Sequence, residues 1–212
     1  MRRRLVTIAF ALGLTMATPA AAEQVQRYGS LLLGPRVGGG LGLVSGPRGG
    51  YYLGLELTYV TPRYFYYDFE VGFAHLLPTT VSVPETSGEG LDGSAVTLAP
   101  GHDADVTGLY GVPLTMEVGL HVPLRRVAIR LGVGFGAMFT IQTLESFGSA
   151  EQEFIASFCF RPEIGLDFPI GPGALRLDLF YLWQDANWQS TGNDRDVDSL
   201  FLTLGYGFRI AG

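Results

Sequence analysis

From Ser199 to Ile210 the chain alternates without a break. Leu200, Leu202, Leu204, Tyr206, Phe208 and Ile210 fall on one side, and Ser199, Phe201, Thr203, Gly205, Gly207 and Arg209 on the other. A period of two held over twelve residues is a strand. One face is apolar throughout and the other carries hydroxyl, glycine and guanidinium, which is the pattern of a barrel wall between lipid and a polar lumen.

Seven further segments repeat the alternation. The first, Leu33 to Leu43, sets Leu33, Val37, Leu41 and Leu43 outward against Arg36, Gly38, Gly40 and Gly42. The second, Tyr51 to Val60, sets Tyr51, Leu53, Leu55, Leu57 and Tyr59 against Tyr52, Gly54, Glu56 and Thr58. The third, Tyr64 to Ala74, sets Phe65, Tyr67, Phe69, Val71 and Phe73 against Tyr66, Asp68, Glu70 and Gly72. The fourth, Leu109 to His121, turns Glu117, Gly119 and His121 inward. The fifth, Val127 to Ile141, does the same with Arg130, Gly132, Gly134 and Gly136. The sixth, Phe154 to Phe168, turns in Cys159, Arg161, Glu163 and Asp167, and the seventh, Leu175 to Gln184, turns in Arg176, Asp178 and Phe180. Pro162 lies in mid-strand and predicts a bulge or a break. The total is eight strands, an even number, and the predicted fold is all-β, an eight-stranded antiparallel up-and-down transmembrane β-barrel.

The connections alternate in length. Thr61 to Arg63, Pro123 to Arg126 and Pro169 to Gly173 are tight and contain proline, whereas Leu76 to Thr107, Thr143 to Glu153 and Asp185 to Asp198 are long and polar; Ser45 to Gly50 is a short exception. Short turns belong on the periplasmic side and long loops outside the cell, which leaves both termini periplasmic. Rings mark both strand ends: Tyr51, Phe73, Tyr110 and Trp183 toward the loops, Tyr59, Phe65, Phe168 and Phe208 toward the turns.

Before the first strand, Arg2, Arg3 and Arg4 precede an apolar run from Leu5 to Ala17 and an alanine cluster at 20–22. This reads as a cleaved signal peptide over residues 1–22, with a barrel domain over 23–212. Hydrophobic residues make up 47% of the chain, yet after the leader they are dispersed and no run reaches the length of a spanning helix. All 14 basic residues are arginine; the eleven beyond the leader face 20 acidic residues, a formal charge of −9. Such a chain is a poor nucleic-acid binder. The one cysteine, Cys159, has no partner in the chain and reads as a small buried filler.

The inward faces gather Arg36, Arg130, Arg161, Arg176 and Arg209 with Glu56, Asp68, Glu70, Glu117, Glu163, Asp167 and Asp178. An eight-stranded barrel is just wide enough for side chains to fill, so these twelve groups are predicted to form a lumenal charge network. Glycines strip two opposite walls, Gly38, Gly40 and Gly42 with Gly205 and Gly207 on one, Gly132, Gly134 and Gly136 on the other. Either the arginines with Tyr52, Tyr64, Tyr66 and Phe201 plug that space or a narrow passage survives; the filled interiors of small barrels favour the plug.

No cofactor or metal site is predicted, and the chain is not read as an enzyme. Each histidine, His75, His102 and His121, lacks a serine at a useful spacing, and His121 is placed near Glu117 at the periplasmic rim. The acidic runs Asp103 with Asp105, and Asn193, Asp194, Asp196 with Asp198, lack the distal glutamate of a calcium loop and read as solvated. Two short alternating runs, Thr79 to Val83 and Ser94 to Leu98, predict a hairpin projecting from the surface.

Near the C-terminus a polar residue, a glycine two later and two apolar residues, here Thr203, Gly205, Phe208 and Ile210, resemble the assembly signal of bacterial outer-membrane barrels. Over nearly the whole mature chain the strand pattern and loop asymmetry resemble the small outer-membrane barrel proteins of the OmpA-barrel, OmpX and OmpW kinds. The resemblance implies the bacterial outer membrane, contact with its lipid and lipopolysaccharide, and insertion by the barrel-assembly machinery. It implies a structural or surface-interaction role presenting a long extracellular loop. A narrow channel for small or apolar solutes is the alternative, and a lipid-modifying hydrolase a remote one.

Overall fold

The computed structural model describes residues 29–42, 49–77, 79–83, 86–89, 95–99, 102–146, 149–188, 193–194 and 197–211. The predicted leader at 1–22 lies outside them, as do Leu43, Asp196 and most of the connection from Ser45 to Gly50.

Eight strands make the wall: β1 (Ser30–Gly42), β2 (Gly50–Val60), β3 (Phe65–Leu76), β4 (His102–Pro123), β5 (Ala128–Ser146), β6 (Ser149–Ile170), β7 (Gly173–Gln184) and β8 (Val197–Ala211). Each pairs antiparallel with its neighbours in sequence, and β8 pairs with β1 from Gly42↔Ser199 to Leu31↔Ala211, so the sheet closes on itself. Closure leaves no unpaired wall edge. The alternation read from the sequence is the alternation of burial: on β2, Tyr52, Glu56 and Thr58 are buried while Tyr51, Leu53, Leu55, Leu57 and Tyr59 are exposed.

Four expectations change. The connection from Thr143 to Glu153 is almost entirely strand, because β5 and β6 stay paired to Ser146↔Ser149. Likewise β4 begins at His102, seven residues before the predicted start, and Thr79–Val83 pairs with His102–Val106 as a continuation of the wall. The projecting hairpin is made instead by Thr86–Glu89 with Ala95–Ala99. Polar composition there reflects water rather than lipid outside the strands; backbone pairing continues regardless.

Tyr64 is the second change. It sits in the β2–β3 turn with φ 65°, its ring exposed rather than in the lumen, while Thr61 closes the turn through its amide to Phe65 O at 2.8 Å. Third, Pro162 introduces no register shift: it faces outward opposite Val133, and the only local change is a lapse in the ladder to β7 between Phe180↔Glu163 and Trp183↔Phe160. The lapse covers two successive pairs, at Pro162 and Arg161, so the predicted break occurs on the β7 side alone while pairing to β5 continues. Fourth, His121 meets Asp167 rather than Glu117, Nε2 to Oδ2 at 3.5 Å.

Candidate functional site

The lumen is filled in layers. At the loop end an apolar cluster joins Leu76, Val106, Leu109, Met138, Leu144, Cys159 and Leu182 to the rings of Tyr52, Phe180 and Phe201. Those rings pack together, Tyr52 edge-on to Phe180 with centroids 5.0 Å apart. The glycine-stripped walls are where the rings fit. A Cβ on Gly40 would run into the ring of Phe201, and one on Gly132 into the hydroxyl of Tyr66 and the carboxylate of Glu117. Glycine therefore serves close approach at these two positions, and the space it frees is occupied.

Below the rings lies the charged layer. Arg36 grips Glu70 with two nitrogens, Nε to Oε1 at 2.7 Å and Nη2 to the second oxygen, and its Nη1 donates to Glu163 Oε2 at 2.9 Å. Arg161 donates to Glu70 and, at 2.8 Å, to Glu117 Oε2. Arg130 spans three carboxylates: Asp167 at 2.9 Å, Glu163 at 3.1 Å, and Asp178. Arg176 donates to Glu56 and to Thr58 Oγ1 at 2.7 Å, and Thr58 in turn donates to Asp68. Bidentate and forked contacts of this kind are the geometry for which a guanidinium is suited and an ammonium is not.

Eleven of the twelve predicted lumenal charges thus come together. Arg209 does not: it is half-buried near the turns, and its Nε and Nη2 have no hydrogen-bond partner among the described residues. Of the predicted assembly-signal residues, Thr203 and Gly205 face the lumen, and Phe208 and Ile210 face outward.

Sequence reasoning treated the tyrosines as bulk, whereas they are donors. Tyr52 Oη donates to Glu70 Oε1 at 2.6 Å and Tyr66 Oη to Glu117 Oε1. The same rings flank guanidinium groups: Arg36 lies 5.5 Å from the Tyr52 centroid and 4.8 Å from that of Phe180, and Arg130 5.5 Å from that of Tyr66. Inward tyrosines beside inward glycines were the available signal.

Arg36, Arg130, Arg161, Arg176, Tyr52, Tyr66, Phe180 and Phe201 are each 2% exposed or less. A passage wide enough for water would leave their atoms accessible to it. The lumen is therefore closed to water at this level.

At the turn end His121 and Asp167 border, with Ser30, a cavity of about 20 Å³, room for one water. Asp167 is already engaged by Arg130, and no substrate fits the space. His75 faces outward between Tyr51 and Tyr110, centroids 4.9 and 4.7 Å away, as part of the loop-side ring of aromatics. Among the described residues no group of three or more metal-ligating side chains converges. The side chains of Asp103, Asn193, Asp194 and Asp196 lie outside the described residues, as does that of His102.

No family model matches the chain, and no curated protein matches it in sequence. Solved structures share its fold. The attachment invasion locus protein Ail of Yersinia pestis is 15% identical, with 85% of this chain and 99% of that one covered and a TM-score of 0.50. Neisserial surface protein A is 12% identical, with 85% and 97% covered and a TM-score of 0.51. The fold is that of the small eight-stranded outer-membrane β-barrels.

Proposed function

We propose that this chain is an integral outer-membrane protein with a structural and surface-interaction role, a sealed barrel whose loop side is its working face. The observation that carries the reading is a water-tight, ion-paired lumen inside an uninterrupted apolar belt. On β2 the belt runs from Tyr51 to Tyr59, the length a tilted strand needs to cross a bilayer. Beyond it, exposed positions turn polar, with Asp105, Thr107, Glu145 and Glu151 on β4, β5 and β6. The short turns then lie in the periplasm with both termini, and the loop-side strands and the hairpin outside the cell. Lipid and lipopolysaccharide contact the belt, and the assembly machinery reads Thr203, Gly205, Phe208 and Ile210.

The closed lumen counts against a channel, and the occupied His121 against a hydrolase. The test is conductance of the folded chain in planar bilayers, with silence expected; steady single-channel steps would move transport to first place. Orientation is tested in a Cys159→Ser background. Glu151→Cys is expected to react with an impermeant maleimide on intact cells, and Arg126→Cys only after permeabilisation. The reverse order would overturn the orientation.

A further inference from the structure

The exposed charges of the barrel are segregated. Among the described residues, the exposed arginines are Arg63, Arg125 and Arg126, all in turns, whereas the exposed acids Asp105, Glu145, Glu151 and Asp185 lie at the opposite end. Arg63 sits in the β2–β3 turn, Arg125 and Arg126 in the β4–β5 turn. A hydrogen bond from His121 N to Tyr64 O at 2.8 Å holds the two turns side by side. The three arginines thus share one sector of the rim with the exposed Tyr64 and Leu124, and among the described residues these two turns carry no carboxylate.

Immediately beyond this rim, on the outer face of β3, β4 and β5, the wall carries a depression of about 340 Å³. Its sides are Phe65, Leu120 and Leu131, which are paired in a row, and its middle is the facing pair Val118 and Val133. The next row, Met116 with Phe135, is again bulky, so the short valines leave a hollow between longer side chains. Gly119 and Gly132 lie at the floor with the buried carboxylate of Glu163, which Arg36 and Arg130 neutralise from the lumen side.

We infer that this sector binds one anionic phospholipid: Arg63, Arg125 and Arg126 hold its phosphate and the hollow over Val118 and Val133 takes an acyl chain. The inference rests on the membrane reading above. A guanidinium meets a phosphodiester through paired N–H donors, and three of them unopposed by acid favour a headgroup with net negative charge over a zwitterionic one. The order along the wall, cationic turn, exposed ring, apolar hollow, is the order of headgroup, interface and chain in a leaflet. Among the described residues the other turn of this rim, β6–β7, carries Gly171 and Pro172 and no charge, and Arg209 beside it is half-buried.

Native mass spectrometry of the folded, detergent-purified chain, titrated with phosphatidylglycerol or phosphatidylcholine, tests the site. Preferential retention of phosphatidylglycerol is expected, falling roughly fivefold for each of Arg63→Gln, Arg125→Gln and Arg126→Gln, and less in added salt. Val118→Trp fills the hollow with every arginine in place, and is expected to weaken retention of both lipids. Equal retention of the two lipids by the parent chain overturns the site, as does undiminished preference in the triple glutamine variant. Insertion into phosphatidylcholine vesicles, followed by the heat-dependent gel shift, reads the membrane assignment separately. A barrel that inserts without lipid preference loses only this site; one that inserts into no bilayer loses the membrane reading as well.

Discussion

The rings of Phe180 and Phe201 lie stacked across β7 and β8, centroids 5.3 Å apart and 25° from parallel, on the loop side of Arg36. The lumen therefore has two seals in series, one of rings and one of ion pairs. A folded Phe180→Ala, Phe201→Ala double variant is expected to stay silent in planar bilayers, since the charged layer beneath is itself closed to water. Conductance steps from that variant would locate the whole seal in the rings.

Removing one partner of a buried ion pair strands the other. Arg36→Leu takes one buried positive charge from Glu70 and Glu163, which keep Arg161 and Arg130 respectively, and is expected to cost about 3 to 5 kcal/mol. Arg209→Leu, which breaks no ion pair in the network, is expected to cost under about 1 kcal/mol. Urea titrations of the two variants in vesicles, followed by tryptophan fluorescence, compare them directly; equal losses would mean the network does not hold the barrel.

Leu204 pairs with Val37 on one side and Leu177 on the other, in the middle of the apolar belt. Leu204→Arg is expected to cost about 2 to 4 kcal/mol in a bilayer. An arginine accepted there without loss would contradict the facing of β8.

Two glycines separate close approach from mere smallness. Gly132→Val drives a side chain into Tyr66 and Glu117, with an expected cost of about 1 to 3 kcal/mol. Gly39→Val points outward, where a Cβ meets only Gly50 O at 3.7 Å, and is expected to be near neutral. The temperature at which the gel shift is lost in each variant is the readout.

Strand facing was legible because a period of two between lipid and lumen leaves one polar side chain per step, and each wall strand from Arg36 to Arg209 obeys it. Strand length was not legible, because pairing between backbones continues past the belt where hydrophobicity falls away, as at Ser146↔Ser149. Which acid meets which arginine was also hidden. His121 lies four residues from Glu117 on its own strand, yet it meets Asp167 on β6, one strand beyond its neighbour β5, a contact that spacing along one strand does not reveal. Tyr64 was misplaced because alternation does not mark where a strand gives way to a left-handed turn.

The ion pairs also impose an order in time. Arg36 on β1 waits for Glu163, 127 residues later, and Arg176 on β7 reaches back 120 residues to Glu56. Contacts so distant along the chain close late and slowly. While the early strands wait, their guanidiniums and carboxylates have no counter-charge from the far wall, and lipid is the environment least able to hold them. The chain cannot enter the bilayer strand by strand at low cost. It must be kept wet, or kept folded around itself, until β7 has arrived, and only then does the wall become something a hydrocarbon interior will accept.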